Sequence, residues 1–243
     1  MSNTCKTIIV MPVANEAETM AQVIDDIMAL PYENLYYYPV IDDYSKDDTE
    51  KIIRRKAEGN PRIKLIYYKE SRGVISCYLE GYRQALLDGA DRIIEMDGGL
   101  SHDPKQIPMY MDKLDQGYDC VWGSRFIKGG GVSDLPLYRR ILSSGGTILA
   151  NLVLGTRLKD MTSGYEAFQR HVLENINLDQ IMSTGHMYQT ELRYYCRNLN
   201  CIEVPIHYVG SSTGLKLQTV IEALEILFKL KKHERYIWKK QSI

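Results

Sequence analysis

The sequence predicts a doubly wound α/β domain with a mostly parallel sheet and helices on both faces. Three observations predict it. Apolar runs alternate with helix-spaced apolar patterns along residues 6–124, the alternation expected of right-handed strand–helix–strand units. Several of those runs end in acidic or otherwise polar residues. A chain of 243 residues with 44% hydrophobic content buries one large core more readily than two small ones.

Residues 6–11 form a continuous apolar run closed by Pro12, the pattern of a strand buried on both faces. Met20, Val23, Ile24, Ile27 and Met28 then recur at helical spacing until Pro31. A second strand over 36–41 ends in Asp42-Asp43, and Ser45-x-x-Asp48 has the form of a capping box for a helix carrying Ile52 and Ile53. A third strand is predicted over 63–68, before a helix with Tyr78, Leu79, Tyr82, Ala85 and Leu86 on one side. The fourth, over 91–96, leaves Asp97 at its end, and Asp103-Pro104 opens the next helix with proline at its first position. A fifth strand over 119–123 leads into Ser124-Arg125.

Beyond it, Gly129, Gly130 and Gly131 predict a flexible loop, and a long helix is expected over 137–154. The remainder predicts a strand near 165–169, a helix near 187–197, a strand over 201–204 and a closing helix over 218–230.

Composition excludes some functions. Thirty Lys and Arg balance thirty-one Asp and Glu, so no global field favours nucleic acid as a partner. The five cysteines are odd in number, scattered and never spaced as Cys-x-x-Cys, which fits a reducing compartment rather than a disulfide framework or zinc site. The N-terminal MSNTCKTIIVMP lacks the long apolar region of a signal peptide. No apolar stretch reaches the roughly eighteen residues of a spanning helix.

Ligands of open α/β sheets bind outside the carboxyl ends of the strands. The residues placed there are Asn15 and Glu16, Asp42 and Asp43, Asp97, and Arg125. The first turn, Pro12-Val13-Ala14-Asn15-Glu16, contains no glycine, so it is not the Gly-x-Gly-x-x-Gly turn of a dinucleotide-binding oxidoreductase, and no Walker phosphate loop is present. Carboxylates can still hold a pyrophosphate when a divalent cation stands between them, because Mg²⁺ takes one or two carboxylates plus substrate phosphates. This points to a nucleotide-sugar.

The segments MPVANEAE, IDDYSKDDT, SRGVISCYLEGYRQAL, EMDGGLSHDPKQIP, WGSRFIKGGGVSDLPLYRR, DMTSGYEAF and EVPIHYV occur in this order over nearly the whole chain. Together they resemble the family 2 glycosyltransferases of GT-A fold, and within them the dolichol-phosphate mannose synthases and related polyprenyl-phosphate sugar transferases. The resemblance implies a Rossmann-like GT-A domain, with 1–125 as the nucleotide-sugar half, 126–230 as the acceptor half and 231–243 as a basic tail. It implies that Pro12, Val13, Asn15, Glu16, Asp42, Asp43 and Gly73 bind the donor, GDP-mannose or a UDP-hexose. Arg125, Arg139 and Arg140 match the basic positions that embrace donor diphosphate and acceptor phosphate, for which paired guanidiniums are well shaped.

The resemblance breaks at two places. The family's Asp-x-Asp metal motif reads Asp97-Gly98-Gly99, leaving Asp97 as the expected ligand of Mg²⁺ or Mn²⁺. Three consequences stay open: a cation held by Asp97, donor phosphates and water; a dispensable cation; or lost catalysis. Of these the first is favoured, with His102 a loop hydrogen-bonder rather than a ligand. Over residues 208–216, the family's lid segment, the usual Arg is absent and only Gly214 and Lys216 stay in register, making Lys216 a phosphate contact.

The implied reaction is inverting displacement at the anomeric carbon by a polyprenyl or dolichyl phosphate, which is ionised at neutral pH and needs no general base. A hydroxyl acceptor would need one, and Asp160, Glu166 or Glu191 would supply it, Glu191 alternatively lying on a solvated face. The non-enzymatic alternative is a nucleotide-sugar-binding subunit. Lys229, Lys231, Lys232, Arg235, Lys239 and Lys240 surround Tyr236, Ile237 and Trp238, which suits an anionic membrane surface as well as a solvated helix end. A peripheral protein of the cytosolic membrane face is expected, reaching its lipid directly or through a membrane-protein partner.

Overall fold

The structure, a computed structural model, describes residues 5–69, 73–133, 137–183, 185, 187–210, 217–233 and 237–238, excluding the side chains of 137–142, 217–222 and 231. Seven strands form the main sheet: β1 (Thr7–Pro12), β2 (Leu35–Asp42), β3 (Ile66–Tyr68), β4 (Arg92–Glu95), β5 (Cys120–Ser124), β7 (Glu166–Gln169) and β8 (Cys201–Pro205). Their order is β3-β2-β1-β4-β7-β5-β8. All neighbours run parallel except β7, which is antiparallel to β4 and β5. A second, two-stranded sheet pairs β6 (Gly131–Ser133) with β9 (His207–Val209).

The helices are α1 (Met20–Met28), α2 (Thr49–Ala57), α3 (Val74–Leu87), α4 (Ile107–Asp115), α5 (Leu137–Leu154), α6 (Arg170–Asn175), α7 (Tyr188–Tyr195) and α8 (Leu217–His233). They cover both faces because β1 is buried along its whole length. Its Ile8 and Val10 enter one core with Tyr78, Tyr82, Leu192 and Leu227, while Ile9 and Met11 enter the other with Ile24, Ile53 and Tyr110. Alternation of period two sends successive side chains to opposite faces, and each such Ile or Val contributes about 1.5–3 kcal/mol on burial. Helix α3 lies close against β1 and β2: a Cβ on Gly81 would stand 2.2 Å from Val10 Cγ1, which only glycine avoids.

Several local expectations change. The third strand shrinks to three residues, with Ile63 making only an isolated bridge to Tyr37. Asp103 caps a single 3-10 turn, Pro104–Gln106, before α4 begins. Gly129–Gly131 is not simply a flexible loop, since Gly131 enters β6 and its N–H donates to the carbonyl of Ile206. Ser45 and Asp48 form no capping box on α2: Asp48 makes no side-chain cap, and Ser45 Oγ instead accepts from the Asn15 N–H. The tail also differs. Ile237 is fully buried and its carbonyl accepts from Asn177, while Trp238 packs against the core and bridges Ile176, so these two residues face protein rather than a membrane.

Candidate active site

The chain runs β1, β2, β3 towards one edge and then returns to place β4 on the other side of β1. The crevice at such a switch point is where ligands bind in open α/β sheets. Pro12 closes β1 and Val13, Asn15 and Glu16 follow it, Asp42 closes β2 and Asp43 follows it, Asp97 follows β4 and Arg125 follows β5. Because β7 runs antiparallel, its entry loop, residues 160–165, opens onto this same edge and brings Asp160 to Arg125.

The first loop is fastened to the second across some thirty residues. Ser45 Oγ accepts from Asn15 N–H at 3.1 Å, Thr49 Oγ1 from Glu16 N–H at 2.8 Å and Asp47 Oδ2 from Ala17 N–H at 3.0 Å. Asn15 Oδ1 in turn accepts from Lys46 N–H at 2.9 Å. Asn15 has φ +56°, a left-handed conformation that asparagine tolerates better than most residues. These bonds hold Asp42 and Asp43 beside the first loop. Asp42 is buried, with Oδ1 accepting from Tyr44 N–H, and Asp43 Oδ1 accepts from Tyr67 Oη at 2.5 Å. Gly73, with φ +86°, starts α3 on the exposed side of this edge.

Asp97 remains part-exposed at 37%. Tyr78 Oη donates to its Oδ1 at 2.8 Å, and a Cβ on Gly164 would lie 2.7 Å from that oxygen, so residue 164 leaves room for the carboxylate. His102 lies behind it, stacked on Tyr165, and its Nδ1 accepts from the Asp97 N–H at 3.2 Å. Burial holds the imidazole below its ordinary pKa, hence neutral at pH 7. His102 is therefore a hydrogen-bonder of the loop.

Arg125 is fixed as a fork. Its Nε and Nη2 donate to Asp160 Oδ2 and Oδ1 at 2.7 and 2.8 Å, and Nη2 also donates to Thr162 Oγ1 at 2.6 Å and Ser143 Oγ at 3.2 Å. The Arg125 backbone N–H donates to Asp160 as well. Asp160 is fully buried. Burial alone would raise its pKa, but the hydrogen bonds and charge of Arg125 outweigh that and hold it at about 2. Asp160 is thus held as the carboxylate that anchors Arg125.

The other two candidate bases are buried as well. Glu191 is not on a solvated face: it is fully buried and accepts from the N–H groups of Met182 and Ser183 and from Tyr195 Oη. Glu166 is fully buried against Arg193, Nε to Oε1 2.7 Å. Sequence reasoning missed Arg193, which donates to the carbonyls of Gly123, Asp160 and Ser163 and so stitches the end of β5 to the loop before β7. It also missed Tyr78, Ser143 and Thr162. Arg139 and Arg140 fall in the first turn of α5 with side chains outside the described residues, and Lys216 lies outside them entirely.

A family model described as "Glycosyl transferase family 2" matches residues 8–176. The chain is 30% identical to a polyprenol monophosphomannose synthase of Mycolicibacterium smegmatis, covering 93% of this chain and 86% of that one. It is also 30% identical to an undecaprenyl-phosphate mannosyltransferase of Micrococcus luteus, covering 86% of each. A dolichol-phosphate mannosyltransferase of Pyrococcus furiosus is 28% identical over 94% of this chain, which spans only 64% of that longer protein. Among solved structures, glucosyl-3-phosphoglycerate synthase of Mycobacterium tuberculosis in complex with UDP superposes with a TM-score of 0.69 at 17% identity, covering 93% of this chain and 80% of that one. The same synthase with Mn²⁺, UDP-glucose and phosphoglyceric acid gives a TM-score of 0.67, again at 17% identity and the same coverage. These two likenesses establish the GT-A fold.

Proposed function

This chain belongs to glycosyl transferase family 2, and from that premise we propose that it transfers mannose, with inversion, from a nucleotide-diphosphate sugar to a polyprenyl phosphate. The names of the two relatives at 30% identity support the sugar and the acceptor class. The observation that carries the acceptor assignment is the burial of the three candidate bases: Asp160, Glu166 and Glu191 are each fully buried. A hydroxyl acceptor would need to reach one of them. A phosphate needs none.

Pro12, Val13, Asn15, Glu16, Asp42, Asp43 and Gly73 line the donor side in this reading. Arg125, Arg139, Arg140 and Lys216 receive the phosphates. An acceptor phosphate oxygen attacks the anomeric carbon, the bond from that carbon to the nucleoside diphosphate breaks, and the diphosphate leaves with its negative charge. Arg125 lies pre-oriented for charge on this edge, because Asp160 and Thr162 fix its fork before any ligand arrives.

A divalent cation, Mg²⁺ or Mn²⁺, fits the carboxylate of Asp97 only as a shared ligand. Among the described residues no three His, Cys, Asp or Glu side chains gather to hold a metal by themselves, so donor phosphates would complete its shell. When bound it would neutralise the leaving diphosphate.

Among the described residues no helix is long and apolar enough to cross a membrane. In this reading, contact with the lipid is peripheral. Helix α5 starts at the site, where Ser143 meets Arg125, and continues to the exposed Ile148, Leu149 and Leu152. Helix α8 packs beside it with Leu224 and Phe228 exposed, next to exposed Lys229 and Lys232. An apolar face edged with lysines suits the interface of an anionic bilayer.

Radiolabelled GDP-mannose and UDP-glucose, offered with undecaprenyl or dolichyl phosphate in anionic vesicles, test the proposal. Labelled mannosyl-lipid should form and the protein should sediment with the vesicles. Donor binding without lipid product under Mg²⁺ or Mn²⁺ would leave a non-catalytic subunit instead.

A further inference from the structure

Position 99, where the second acidic residue of the metal motif is missing, is not empty of carboxylate. Gly99 has φ +72°, and a Cβ built on it would lie 2.8 Å from Glu16 Oε2 and 3.2 Å from Oε1. The Glu16 carboxylate therefore occupies the volume in which a side chain at position 99 would begin. Gly98 makes a similar approach, its Cβ position 2.9 Å from the Pro12 carbonyl oxygen. The loops after β1 and β4 thus touch directly at the switch point of the sheet. Two residues of chain span at most about 7 Å, so Asp97 and the Glu16 carboxylate lie on neighbouring parts of one crevice.

Both carboxylates are oriented from behind. Glu16 accepts from Thr19 Oγ1 at 2.9 Å, and its N–H is tied to Thr49 Oγ1. His102, 1% exposed, accepts at Nδ1 from the Asp97 N–H, which leaves its proton on Nε2. That Nε2 is buried, has no hydrogen-bond partner and stands 3.8 Å from Asp97 Oδ2. A buried donor without an acceptor costs about 1–3 kcal/mol, and a small swing of the Asp97 carboxylate on ligation would satisfy it.

We propose that Glu16 supplies the second protein carboxylate for a divalent cation shared with the donor diphosphate, taking the part that the residue at position 99 cannot. Two carboxylates, diphosphate oxygens and waters are the donor set that Mg²⁺ or Mn²⁺ prefers. The inference rests on the nucleotide-diphosphate reading of the site and is independent of the sugar and the lipid. It also accounts for the glycine: any side chain at 99 would displace Glu16.

Mn²⁺ binding to the full chain, followed by electron paramagnetic resonance with GDP or UDP present, tests this without turnover. Glu16→Gln should weaken Mn²⁺ binding about 10- to 100-fold, the range seen when a group supporting or ligating a metal is lost, and comparably to Asp97→Asn. Glu16→Ala should weaken it likewise, and adding Gly99→Asp to Glu16→Ala should recover most of the loss, since aspartate tolerates positive φ and alanine vacates the volume that the Glu16 carboxylate fills. Circular dichroism melts would show each variant folded. Wild-type Mn²⁺ affinity in Glu16→Gln, with nucleotide still bound, overturns the inference alone. A wild-type chain that binds neither nucleotide overturns the donor reading and this inference together.

Discussion

Arg125→Met should reduce kcat/KM with a polyprenyl phosphate by about 10³-fold or more, the scale set by loss of a guanidinium that stabilises phosphate charge. It should also lower the melting temperature. Removing Arg125 leaves Asp160 fully buried without the partner that holds its pKa at about 2, and breaking a buried pair from one side costs about 3–5 kcal/mol. For a domain of this size that corresponds to roughly 6–20 °C. The sign with pH follows from the depressed pKa: Asp160 contributes stability above its ordinary carboxylate value, lost as pH falls through about 2. The double variant Arg125→Met/Asp160→Asn separates the two roles. Neutralising the stranded carboxylate should restore most of the melting temperature and none of the turnover. If turnover returned with stability, Arg125 would be a structural residue only.

The elements that sequence reasoning placed well are those whose environment is uniform. Strands β1 and β2 are buried on both faces and so are written as largely apolar runs, whereas in β4 only Ile93 and Ile94 are apolar, between a buried Arg92 and a buried Glu95. Helix α5 falls on residues 137–154 as expected. Strands β6 and β9 were invisible because each is three residues long and exists only through its partner. Ser45 and Asp48 imitated a local cap, whereas Ser45 bonds to Asn15 thirty residues away, a non-local choice that no local pattern encodes. The strand-end rule gathered Asp42, Asp43, Asp97 and Arg125 onto one edge but did not reach Asp160, which arrives there through the antiparallel β7 and its bonds to Arg125. Arg193 was not legible: in α7, Tyr188, Leu192 and Tyr195 share one stripe while Gln189, Thr190 and Arg193 lie opposite it, the pattern of a solvated face, yet Thr190 and Arg193 are buried.

That buried charge leads to the second large effect. Glu95 and Glu166 are register partners across β4 and β7, both fully buried, with a single guanidinium, Arg193, paired to Glu166. Like charges directly opposite one another on paired strands are destabilising, so the cluster favours protonation. Desolvation and the neighbouring carboxylate push Glu95, bonded to Tyr82 Oη, well above its ordinary value, while burial outweighs Arg193 and raises Glu166 to about 7. A raised acid contributes stability that is complete below its ordinary pKa of about 4.5 and lost as pH rises through about 7. The melting temperature of the wild type should therefore decline between pH 5 and pH 8, and Glu95→Gln should flatten that decline by removing one member of the pair. Arg193→Met should cost about 3–5 kcal/mol at pH 8, where it strands an ionised Glu166 and three carbonyl acceptors. At pH 5 the cost should be smaller, because Glu166, raised to about 7, already carries its proton there and no ionised carboxylate is stranded. Equal destabilisation at both pH values would show that Arg193 acts through its carbonyl contacts alone. Since those contacts join Gly123, Asp160 and Ser163, Arg193→Met should also lower kcat for any acceptor while leaving nucleotide binding near that of the wild type, marking Arg193 as a positioning residue beneath the site.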